Sequence, residues 1–173
     1  MRRPTKNDWI WAAALILFTV ISYFLFLSLS KALISNQIIR LPKLVPNIIN
    51  PMVEKSIEEL AGIAGRGNWT LVWVSFVTLF FNIFGEELWW RGYILPRQEL
   101  VHGGSTWIIH GALWTIFHAF KYWEIAAILL ASLALSFVAL KRKNTWPGIV
   151  THLTINGLGP ICILFFAIGI RQY

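Results

Sequence analysis

One cysteine and only eight Asp and Glu residues are found among 173 positions. Cys162 has no partner for an internal disulfide and lies inside an apolar run, so a disulfide scaffold and a thiolate metal cluster are both excluded. Charged residues make up 13% of the chain, against about 25% in soluble globular domains. That scarcity excludes an ordinary soluble enzyme and a disordered chain. The 15 Lys and Arg residues give a formal charge of +7, but they lie between apolar blocks and form no single patch. A nucleic-acid face is therefore excluded as well. The sequence also has no HExxH pair, GxSxG elbow, phosphate loop or CxxC pair. No internal repeat or low-complexity tract is present.

What remains is apolar: 57% hydrophobic residues, a mean hydropathy of +0.62 and ten tryptophans. Crossing about 30 Å of hydrocarbon takes about 20 helical residues. Five stretches free of Asp, Glu, Lys and Arg approach that length: 9–30, 67–85, 100–120, 125–140 and 144–170. The expected fold is therefore all-α, a polytopic membrane bundle of about five spans. Trp9, Trp11, Trp69, Trp73, Trp107, Trp123 and Trp146 fall near the segment ends, where indole rings favour the headgroup region. Asp8 and Ser105 are N-cap candidates, and Pro147 suits a first helical turn.

The first apolar block exceeds the roughly 7–15 residues of a cleaved signal core, so a retained signal anchor is expected. Between Lys31 and Arg66, an amphipathic helix opening at Asn50 and Pro51 is expected, with Ile49, Val53, Ile57, Leu60 and Ala64 on one face. The expected division is an anchor and connection over 1–68 and a membrane core over 69–173. With a cytoplasmic N-terminus, Arg2, Arg3, Lys6, Arg91, Arg97, Lys141, Arg142 and Lys143 lie inside. Lys31, Arg40, Lys43, Lys55, Arg66, Lys121 and Arg171 then lie outside.

Polar residues interrupt the apolar pattern in three places. Glu86 and Glu87 are adjacent within an apolar run, where one ionised side chain costs about 2.5–3.5 kcal/mol at mid-depth. Glu87 and Arg91 are four apart with the glutamate first, the favourable order for an ion pair. Glu86 projects about 100° away, with Asn82 one turn earlier as a candidate donor. His110, Trp114 and His118 form one stripe, and His152 and Asn156 another. Lipid cannot satisfy such groups, so the stripes are expected to face one another. For His110, packing or an interhelical hydrogen bond is the expected role. His102, beside Gly103 and Gly104, reads as a loop residue.

A carboxylate in apolar surroundings is a competent base toward water, and an imidazole opposite can share that water or stabilise an oxyanion. Glu86, His118 and His152 could instead hold zinc, with water as fourth ligand. A proton-coupled transporter would use similar residues as a relay.

These residues resemble the CPBP family of CAAX proteases and bacteriocin-processing (Abi-type) membrane proteins, whose pattern is EExxxR, FxxxH and HxxxN. The chain carries Glu86-Glu87-Leu88-Trp89-Trp90-Arg91 and His152-Leu153-Thr154-Ile155-Asn156 in full. Between them it has Trp114-Thr115-Ile116-Phe117-His118, with Trp for Phe. The resemblance implies an intramembrane glutamic endopeptidase without a required cofactor, cutting a membrane-associated, lipidated or bacteriocin-like peptide. By position it makes Glu86 the general base and His118 the residue that positions water. His152 and Asn156 would then stabilise the oxyanion, with Glu87 and Arg91 holding the frame. It further implies a multi-pass protein of a bacterial cell membrane. The alternative within the same resemblance is a non-proteolytic membrane protein that acts in immunity by binding alone.

Overall fold

A computed structural model of the chain describes residues 2–46, 49–53 and 66–169. Among these the structure is helical and contains no strands. Seven α-helices follow one another: α1 (Lys6–Ser35), α2 (Trp69–Glu86), α3 (Leu95–His102), α4 (Thr106–Phe117), α5 (Ile125–Arg142), α6 (Trp146–Asn156) and α7 (Leu158–Ala167). A π-helical stretch, Glu87–Ile94, joins α2 to α3 without a break. Short 3₁₀ turns, Gly103–Ser105 and Ala119–Glu124, flank α4.

Three helical runs are long and apolar enough to cross a membrane: Lys6–Ser35, Trp69–Phe117 and Ala119–Arg142. The pair α6–α7, bent by 41° at Gly157, makes a fourth if counted as one span. Among the described residues the count is thus three or four, against about five expected. The reason lies in the second run, whose 49 residues would reach far beyond a bilayer if straight. It folds back at Gly103, where φ is +56°, a backbone setting that suits glycine. His110 consequently contacts Gln98, and Trp90 packs on Phe117 with ring centroids 5.7 Å apart. The returning leg, α4, has 12 residues and rises about 18 Å, too short to be a span alone.

Polar contacts fix which helix ends lie together. Asp8 accepts from the Thr5 backbone N–H and hydroxyl (2.8 Å each), from Arg142 Nε (2.8 Å) and from Asn144 Nδ2 (3.3 Å). It is therefore the third residue of a helix capped by Thr5, one turn earlier than the expected cap at Asp8. Lys143 pairs with Glu99 at this same end. At the other end Ser30 donates to the Trp123 carbonyl (2.5 Å), Tyr122 donates to the Arg40 carbonyl, and Gly67 N–H donates to Ala167 O (2.9 Å). Trp123 is buried in these contacts, contrary to its expected headgroup position.

α1 packs against α5 and α6, and α4 packs against α5. Small residues permit the second approach: Ser132 donates to the Gly111 carbonyl at 2.9 Å, and a Cβ on Gly111 would lie 2.8 Å from Leu133. The outward faces carry Leu17, Phe24, Leu25, Trp73 and Phe81, all more than half exposed, as suits a surface solvated by lipid. Asn68 caps α2 by accepting from Leu71 N–H at 3.0 Å. Asn50 likewise accepts from Met52 N–H and holds a turn over 50–53. The rest of the expected amphipathic helix, including Ile57, Leu60 and Ala64, lies outside the described residues.

Candidate active site

The three polar stripes sit on α2 with its π extension, on α4 and on α6. Glu87, at the first position of the π stretch, is fully buried. Its Oε1 accepts from Arg91 Nη1 at 2.9 Å, and neither side chain has any exposure. Mutual neutralisation is what admits both charges to the interior. The Arg91 side chain thus lies inside the bundle. Arg91 lies over the Trp114 ring with its guanidinium carbon 4.6 Å from the centroid, which gives the cation a second partner.

α6 approaches from the opposite side. His152 Nδ1 lies 2.9 Å from the same Oε1, within ion-pair distance though not aligned as a hydrogen bond. Glu87 Oε2 lies against the first turn of α6, where a Cβ on Gly148 would run into the carboxylate. A helix N-terminus favours an anion at that point. The missing side chain of Gly148 is thus what lets the carboxylate reach α6. Sequence reading passed over this glycine, because a close approach from another helix leaves no local pattern.

Trp114 is the hub of the site. Its ring centroid is 4.1 Å from that of His118 and 5.9 Å from that of His152. The aromatic residue that replaces phenylalanine therefore touches Arg91 and both histidines. His118 ends α4, and its Nδ1 donates to the Trp114 carbonyl at 3.0 Å, leaving Nε2 free. It is half-buried, as is Glu86. Asn82 Nδ2 donates to Glu86 Oε1 at 2.9 Å, so the expected donor one turn away is present.

The structure therefore joins Glu87, Arg91 and His152 directly, and reaches His118 through Trp114. Glu86 stands beside this cluster on the adjacent helical position, held by Asn82, and among the described residues it makes no hydrogen bond or ion pair with a histidine. Asn156 is exposed one turn beyond His152, and its side chain makes no hydrogen bond among the described residues. Also among the described residues, no three His, Cys, Asp or Glu side chains converge as a metal site. The set Glu86, His118 and His152 is not arranged for zinc.

Two adjacent glutamates thus occupy opposite environments, one sealed in an ion pair and one on the open side with a single neutral donor. No curated protein and no solved structure matches the chain. A family model described as Type II CAAX prenyl endopeptidase Rce1-like matches residues 68–158, just over half the chain, and covers all three polar stripes. The chain therefore belongs to the CAAX protease (CPBP) family: it is an integral membrane protein of an intramembrane endopeptidase family.

Proposed function

We propose that this protein hydrolyses a peptide bond near the end of a prenylated or otherwise lipidated membrane peptide, with Glu86 as general base. The observation that carries the reading is the unlike setting of the two glutamates. Glu87 is committed to Arg91 and His152, whereas Glu86 is half-buried and answers only to Asn82. Paired carboxylates in divergent environments commonly divide into a working group and a supporting one. Glu86 takes a proton from water, the hydroxide adds to the scissile carbonyl, and Glu86 returns the proton to the leaving amine. His118 donates from Nδ1 to a backbone carbonyl, so its free Nε2 can accept a hydrogen bond from that water. In this reading His152, with Nδ1 facing Glu87, and the Asn156 amide form the side that stabilises the developing oxyanion. Glu87, Arg91 and Trp114 fix the frame.

We further take residues 1–68 as an anchor and connection and 69–173 as the protease core, in a bacterial membrane with a cytoplasmic N-terminus. The test of substrate class compares a farnesylated peptide with its unprenylated twin, using protein reconstituted in liposomes. Cleavage of the farnesylated peptide at a kcat/KM at least about tenfold higher is expected. Equal rates would contradict recognition of the lipid.

A further inference from the structure

We propose that His110 and Gln98, which lie in none of the three motifs, form a positioning pair that sets α4 against the glutamate helix and so places His118. The inference rests on the proteolytic reading of the site. α3 and α4 are joined through the short turn Gly103–Ser105, where a Cβ on Gly103 or Gly104 would meet nothing within 4 Å. Thr106 Oγ1 donates to the Gly103 carbonyl at 2.7 Å and closes this turn locally, and the relative setting of the two arms is decided further along them. One turn away on each side, His110 Nδ1 and Gln98 Oε1 meet at 2.6 Å. The Gln98 oxygen can only accept, so Nδ1 carries the proton. This is the polar side-chain link between the two arms of the hairpin.

The link acts on the site through helix geometry. His110, Trp114 and His118 recur every four residues, so a rotation of α4 that releases His110 also turns Trp114 away from Arg91 and moves His118. The other arm carries Trp90, which meets the His110 ring edge-on at 5.6 Å and is bonded in sequence to Arg91. His110 is fully buried, yet its Nε2 has no hydrogen-bond partner among the described residues. Packing alone would be served as well by a phenylalanine, which fills similar space without burying a bare nitrogen. Only a polar ring holds Gln98.

That contrast supplies the test. In a Cys162→Ser background, spin labels on exposed Ile116 of α4 and Leu153 of α6 report the interhelical distance without any need for turnover. His110→Phe should keep the thermal midpoint of the parent yet shift or broaden that distance. Turnover of a prenylated peptide should fall ~10- to 100-fold with KM nearly unchanged, the scale expected when a catalytic group is misplaced by about 1 Å. Gln98→Leu should behave alike. The exchanged pair Gln98→His with His110→Gln should recover most of the loss, because donor and acceptor are both restored. An unchanged distance in His110→Phe overturns the proposal whatever the turnover, as does an exchanged pair no better than either single change. If the parent protein cleaves nothing, the proteolytic reading fails, and the label distance still decides the pairing.

Discussion

At the scale of single residues, Glu87 and Gly148 are two halves of one contact. Glu87 reaches its partners on α6 because position 148 has no side chain, and a methyl group there would occupy the space of the carboxylate. Overpacking at a buried site costs about 1–3 kcal/mol, and displacing Glu87 would also weaken its pair with Arg91. Gly148→Ala should therefore lower the thermal midpoint and abolish most activity. Adding Glu87→Asp, which withdraws the carboxylate by one methylene, should restore part of both. Thermal melts and cleavage assays on the three variants check this, and a double variant worse than Gly148→Ala would refute the contact. The Glu87–Arg91 pair was legible in the sequence because both partners lie on one helix at a spacing that brings them together. Asn82 on Glu86 was legible for the same reason. Gly148 and the bridging role of Trp114 were not, since both depend on which helices come together.

At the scale of elements, hydropathy found the apolar legs and misjudged where they end. Charged Glu86 and Glu87 end the charge-free second stretch at residue 85, although the apolar run carries on past them. Because Arg91 and Glu87 neutralise one another, the helix continues through them to His102. The π stretch Glu87–Ile94 was invisible, since one extra residue per hydrogen-bonded turn changes no composition or spacing signal. Contacts between helix ends were hidden too: Asp8, Arg142 and Asn144 are far apart in sequence, and only the folded bundle joins them. Those contacts put the start of α1 at one end of the bundle. The connection near Arg40 lies at the other, through Tyr122. With the N-terminus cytoplasmic, Leu44→Cys in a Cys162→Ser background should react with an impermeant thiol reagent on intact cells. Arg3→Cys should react only after lysis. The reverse pattern would invert the orientation.

At the scale of the whole molecule, a small lipid-facing bundle encloses a buried Glu87–Arg91 ion pair and leaves a second carboxylate beside it outside that pair. Burial of Glu87 with Arg91 gives the frame its rigidity, since removing one partner of a buried pair costs roughly 3–5 kcal/mol. Glu86 lies outside that pair and, on the proposed reading, is the group that does the chemistry. The division of labour between the two adjacent glutamates is the central claim, and a paired measurement on protein purified into liposomes tests it. Cleavage rate and thermal midpoint are determined for the parent, Glu86→Gln and Glu87→Gln. Glu86→Gln should lose cleavage by about 10²-fold or more with an unchanged midpoint, and Glu87→Gln should lower the midpoint together with the rate. Parent-level cleavage by Glu86→Gln would contradict the account.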